Sequence, residues 1–178
     1  PCMASFMPEK AKNMCLTYLT PYLWEAVGAN IGSPGTEDFK KAFALCPNID
    51  SRHQNTCYGG FGKEFVVLAQ NRDIRKIDQM SDEQLLQVYS WCTLAKNHEG
   101  TDSCLHQALS SLFWGGENDR GASIRFCNMM ADDTFKQSCF TDLIDQVGSY
   151  IDDPAYRKLF CQEIPDDFQT QCQQKLHN

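Results

Sequence analysis

Ten cysteines in a chain of 178 residues limit the possible folds more than any other feature. They fall into five consecutive pairs: Cys2 with Cys15, Cys46 with Cys57, Cys92 with Cys104, Cys127 with Cys139, and Cys161 with Cys172. Ten to twelve residues separate the members of each pair. No Cys-x-x-Cys occurs, which removes zinc ribbons, thioredoxin-like redox sites and c-type haem attachment. An even set at this spacing reads as five structural disulfides, and disulfides persist in oxidising compartments. The expected location is therefore the periplasm or the extracellular space, with any signal segment removed ahead of Pro1.

The spacing also suggests what each pair joins. Packed helices lie ~8–10 Å apart, whereas a disulfide places its Cα atoms ~5.5–6 Å apart. A bridge between two helices therefore fits best near the turn where they converge. Ten to twelve intervening residues supply about a turn of helix on each side plus a short loop. Each bridge closes a short loop, worth ~3 kcal/mol in the chain-entropy picture.

Apolar periodicity fills in the helices. The best-formed unit is 81–118. There Ser81 with Gln84 forms a capping box, Leu85, Val88, Tyr89 and Cys92 follow at helical spacing, and Thr101 caps a second helix. Cys104, Ala108 and Leu112 form the inward stripe of that helix, and Gly115-Gly116 ends it. Similar units are expected over about 1–32, 36–71, 120–152 and 153–178. In the first, Cys2 has no helix ahead of it, Pro8 suits a first helical position, and Met14, Cys15, Tyr18, Leu19, Tyr22 and Leu23 form the stripe. Pro21 should kink that helix or end it early. In the second, Thr36 is the expected cap of one helix and Ser51 with Gln54 that of the next, whose face carries Cys57, Phe61, Phe65 and Leu68. A polar connector over 72–80 contains Ile74 and Ile77.

The fourth unit has Ile124 and Cys127 on its first helix. Asp132 or Asp133 caps the second, and Cys139, Leu143, Val147 and Tyr150 form the stripe. The fifth starts with Asp153 as cap and Pro154 at the first helical position, then Leu159, Cys161 and Cys172. First-helix cysteines at 46, 92, 127 and 161 step by 46, 35 and 34 residues, and a step near 34 is the length of a two-helix solenoid repeat. The expected fold is one all-α domain, a solenoid-like array of about five hairpins with one disulfide in each. This arrangement resembles the disulfide-stapled α-helical hairpin repeats of the cysteine-rich Sel1-like family, which are similar to TPR repeats. The resemblance implies a superhelical binding surface and no catalysis of its own.

Composition narrows the function classes. The net charge is −7 and the sixteen Lys and Arg are scattered, so the clustered basic face that nucleic acid needs is missing. No run of eighteen apolar residues suggests a membrane span. The most unusual local sequence is Tyr58-Gly59-Gly60-Phe61-Gly62-Lys63, after Cys57. It reads either as a seam where a neighbouring helix comes close or as a contact site for an anion or partner. Trp114 joins these six residues as a partner-binding candidate. Trp24 and Trp91 are the other large anchors, suited to core or interface.

Met3, Met7, Met14, Met129 and Met130 have the soft chemistry of Cu(I) ligands but equally that of core filling. His98, Cys104 and His106 hint at a metal only if Cys104 is reduced. The carboxylate pairs Asp132-Asp133, Asp152-Asp153 and Asp166-Asp167 stand where helices begin, so capping is the simpler role for them than acid–base or Ca2+ chemistry. No catalytic residue, metal ligand set or cofactor is assigned. The expected function is an exported, non-enzymatic helical repeat protein that binds another protein, for instance as an accessory subunit of an envelope or extracellular assembly. A periplasmic metal- or haem-binding carrier is the alternative.

Overall fold

A computed structural model describes residues 2–115 and 120–176, with the backbone alone for 74–76. Among the described residues the chain forms nine α-helices and no strand. They are α1 (Glu9–Ala26), α2 (Thr36–Phe43), α3 (Ser51–Ala69), α4 (Asp82–Cys92), α5 (His98–Gly115), α6 (Arg120–Asn128), α7 (Asp133–Tyr150), α8 (Pro154–Glu163) and α9 (Asp166–Leu176). Short 3₁₀ turns occupy Cys46–Asn48, Ile74–Gln79 and Thr93–Ala95.

Helix starts follow the side chains that can accept orphan backbone N–H groups. The Ser81–Gln84 box forms as expected. Gln84 N–H donates to Ser81 Oγ at 3.3 Å, and Ser81 N–H donates to the Gln84 side-chain oxygen at 2.9 Å. Asp132 caps α7 through the N–H groups of Thr134 and Phe135, and Asp153 caps α8 ahead of Pro154. Three caps differ from expectation. Gly35, not Thr36, precedes α2, and its N–H donates to the Asp38 carboxylate. Asp50, not Ser51, caps α3 by accepting from Arg52 N–H, while the Gln54 amide reaches back to the Pro47 and Ile49 carbonyls. Asn97, not Thr101, accepts from Gly100 N–H at the start of α5, which leaves Thr101 buried inside the helix. In the last two, a carboxylate or amide one to four residues upstream wins over the expected Ser or Thr.

Pro21 lies inside α1, which continues to Ala26. The missing N–H forfeits one helical bond. The helix survives because Leu16, Thr20 and Trp24 are anchored against the rest of the protein. At the end of α5, Gly115 is helical, and Gly116 lies outside the described residues.

All five cysteine pairs stand at disulfide distance in the consecutive pairing, with Cα atoms 5.5–5.7 Å apart and no free cysteine. Four pairs join the end of one helix, or the 3₁₀ turn after it, to the helix that follows. The Cys2–Cys15 pair instead ties α1 to the turns of residues 2–8.

The bridge-bearing helices α1, α3, α5, α7 and α9 pack in succession, each against the next, with α3 against α5 the most extensive contact. On the other side α4 packs on α6, and α2 on the turn after α4. A common register runs through α3, α5, α7 and α9 but not α1. The fourth residue after the second cysteine is Phe61, Ala108, Leu143 or Leu176, and the eighth is Phe65, Leu112 or Val147, all of them buried, whereas Leu19 and Leu23 of α1 are half-buried. The first half of the core is aromatic: Trp24, Phe39, Phe43, Phe61 and Phe65 interlock, and the half-buried Trp91 joins them with its ring centroid 5.2 Å from Phe39 and 5.3 Å from Phe65. On α7 and α8 two expected core positions face water instead. Tyr150 is 60% exposed and Leu159 43% exposed, with Phe160 taking the inward place on α8.

Candidate functional site

The glycines after Cys57 are explained by packing. Gly59, Gly60 and Gly62 lie in the middle of α3 and are buried. A methyl group at Gly62 would overlap the carbonyl oxygen of Cys104 and come within 2.8 Å of Ala108 N on α5. One at Gly60 would overlap Thr20 Oγ1 and lie 3.2 Å from the carbonyl oxygens of Leu16 and Thr17 on α1. Backbone meets backbone on both sides of α3, so these positions hold the close approach of three helices.

Tyr58 and Phe61 are buried in the same region, 5% and 0% exposed. As residues that present a surface to a partner or an anion, Tyr58, Gly59, Gly60, Phe61 and Gly62 are therefore corrected: they face the protein's own helices. Being mid-helix, their N–H groups belong to the helical ladder. Lys63 is also occupied, paired with the Glu64 carboxylate and lying 4.7 Å over the Tyr18 ring. Trp114 alone among the seven candidates is largely open, at 46% exposure.

The exposed apolar surface lies elsewhere. On α1 the expected inward stripe is not the buried one. Leu16, Thr20 and Trp24, none of them in it, turn inward, Cys15, Leu19 and Leu23 are half-buried, and Met14, Tyr18 and Tyr22 line the opposite side at 67%, 64% and 61% exposure. Phe6, just ahead of the helix, is 86% exposed, and Met3 is 37% exposed. The i, i+4, i+8 spacing of Met14, Tyr18 and Tyr22 was visible in the sequence. It was indistinguishable from a core stripe because apolar residues occupy opposite faces of this helix.

The metal-type constellations are dispersed. Cys104 is bonded to Cys92. His98 stacks on Phe135 with ring centroids 4.7 Å apart. His106 Nδ1 is 2.6 Å from the Asp142 carboxylate, whose hydrogen bond and charge hold the imidazole's pKa above its ordinary value against partial burial. Met130 is buried, whereas Met3 and Met14 are exposed on the α1 side. Among the described residues no three or more His, Cys, Asp or Glu stand together as a metal-holding group. Asp132 and Asp153 are committed to caps, and Asp166 and Asp167 sit in the first turn of α9.

Between α5 and α7 lies a cleft of about 300 Å3, lined by His106, Ser110 and Trp114 from α5 and by Asp142, Asp145, Gln146, Ser149 and Tyr150 from α7. Trp114 and Tyr150 meet edge to face, centroids 4.6 Å apart. Each helix contributes at three- and four-residue steps, a polar row beside the apolar one. Reading the apolar row alone, and assigning Tyr150 to it, concealed this second row.

Among the described residues no helix is long and apolar enough to cross a membrane. No family model, no curated protein and no solved structure matches this chain.

Proposed function

We propose that this protein is an exported, non-enzymatic array of disulfide-stapled helical hairpins that binds another protein through the outward face of α1. The observation that carries the reading is the exposed row Met14, Tyr18 and Tyr22 on one face of α1. Contiguous apolar surface rimmed by polar groups is the usual mark of an interaction site. Covering each such side chain fully is worth ~1.5–3 kcal/mol before the costs of association. Aromatic and methionine side chains are also those enriched in interface cores.

The five cysteine pairs support an oxidising compartment, periplasmic or extracellular. The register shared by the second helices supports a solenoid-like reading of the hairpins. The partner fits an envelope or extracellular assembly, in which this chain serves as an accessory subunit.

A photo-crosslinking residue placed at Tyr22, in cells that make the protein natively, tests this reading. A discrete covalent adduct with one protein is expected from position 22 and not from Gln173 on α9. No adduct, or the same adducts from both positions, would refute it.

A further inference from the structure

The helices that carry a second cysteine dock on one another through one repeated set of positions. Counted from that cysteine, the positions are four before, one before, three after and seven after. On α3 they include His53, Thr56 and Gly60. His53 Nδ1 stands 2.7 Å from Asn13 Oδ1 of α1, Thr56 Oγ1 donates to the same oxygen, and a methyl group at Gly60 would lie 3.2 Å from the Leu16 and Thr17 carbonyl oxygens. On α5 they include Gly100, Ser103 and Gln107. A methyl group at Gly100 would come within 2.9 Å of the Tyr58 ring of α3, and one at Gly59 of α3 would touch both Ser103 and Gln107. On α7, Phe135 stacks on His98 of α5, Asp142 bonds to His106, and Gln146 donates to Ser110. On α9, Phe168 meets Phe140 of α7 with ring centroids 4.4 Å apart, and Lys175 pairs with Asp145.

Ala11, Met14, Tyr18 and Tyr22 hold these same positions on α1, and all four are exposed. α1 is the first helix among the described residues, so its docking row has no helix before it. In the interfaces that α3, α5, α7 and α9 make, such a row is covered by the preceding helix of the succession. The row on α1 continues that register, and what fits it is one more helix. The direction follows too. His98, His106 and Ser110 of α5 receive Phe135, Asp142 and Gln146 in that order, so successive helices run parallel. Two tyrosines and a methionine need a receiving face of small or apolar residues, so that the large side chains can fill its grooves. α9 of a second copy does not offer one. Its outward positions include Thr170, Gln173 and Gln174, which would exchange water for Met14 and the tyrosine rings.

We propose that the row Ala11, Met14, Tyr18 and Tyr22 docks a helix of another protein, laid parallel to α1 in the register by which α3 already docks on α1. The partner then extends the packed succession by one helix. This rests on the protein-binding reading of the α1 face and states what kind of partner that face takes.

The test places a benzophenone-bearing amino acid singly at positions 11, 14, 18 and 22 of the full chain, in cells that make the protein natively. Each adduct is then mapped to the captured residue by mass spectrometry. All four positions should capture the same protein. The captured residues should lie in one segment, advance in the same direction as 11, 14, 18 and 22, and step by about three or four residues.

Reverse order, captured residues alternating as in a strand, or captured residues scattered over several segments would overturn the proposal while leaving partner binding by α1 standing. An adduct between two copies of this chain, or no adduct from position 22, would overturn both. Tyr18→Asn supplies a second measure at an exposed position with little risk to folding. It should lower the yield of the adduct from position 22 about tenfold with the urea midpoint unchanged. An undiminished yield would overturn the docking register.

Discussion

The first and last helices of the packed succession face water in opposite ways. On α1 the residues turned outward include Met14, Tyr18 and Tyr22. On α9 they are Asp166, Asp167, Thr170, Gln173, Gln174 and Lys175, with every apolar side chain of that helix turned inward. Both helices carry the second cysteine of a pair and pack against the next such helix. The difference therefore lies in sequence rather than in placement. Stacked hairpins need a polar outer face where stacking stops. α9 has one and α1 does not, a contrast in keeping with the partner-binding face proposed for α1.

The largest expected effect removes the comparison by collapsing what both ends rest on. Gly62→Ala drives a methyl group into the α5 backbone at Cys104. It should cost about 3 kcal/mol or more, at the upper end of overpacking changes, seen as a large drop in urea midpoint or as failure to fold. Next come the terminal bridges, which should behave differently. Replacing Cys161 and Cys172 by Ala frees α8 from α9 and should cost ~3 kcal/mol. Replacing Cys2 and Cys15 should cost ~1 kcal/mol or less. That bridge orders a mostly exposed segment of turns, so its loss frees the folded state nearly as much as the unfolded one. Equal losses in denaturant unfolding would sink the idea that the two ends are built differently.

Ser81→Ala, within the central hairpin, should cost ~1 kcal/mol through the lost cap and leave both ends as they are. Met14→Gln should change stability by no more than ~0.5 kcal/mol, yet weaken the adduct formed from position 22 in the crosslinking experiment. The smallest effect concerns His106. Its pKa is raised in the folded state by Asp142, so its stabilisation is fully present below the unfolded value of ~6.5 and is lost as pH rises through the folded value. Because half of the His106 side chain is open to solvent, the contribution is ~0.5 kcal/mol or less. The Tm difference between wild type and His106→Gln should be greatest in mild acid and vanish in mild alkali.

Sequence reading succeeded where one local rule decided the outcome. The consecutive cysteine pairs, the Ser81–Gln84 box, the Asp132 cap and the Asp153-Pro154 start each follow from residues within a few positions of one another. It failed where competition or direction decided. Asp50 and Asn97 outcompeted Ser51 and Thr101 as caps because an acceptor slightly upstream met the orphan N–H groups first. Tertiary anchoring of Leu16, Thr20 and Trp24 carried α1 through Pro21. On α1 the period of the stripe was legible but its phase was not, so Met14, Tyr18 and Tyr22 were turned the wrong way; on α7 and α8 the phase held and only Tyr150 and Leu159 departed from it.

The bridges have a consequence for how such a chain acquires its shape. Every cysteine pairs with its immediate neighbour in sequence. A polypeptide delivered amino terminus first into an oxidising space would therefore meet each correct partner as the next thiol to emerge. An oxidase acting on thiols in order of arrival reaches the native set directly, whereas interleaved bridges would call for repeated shuffling by an isomerase. The linkage pattern is one that vectorial delivery alone can proofread.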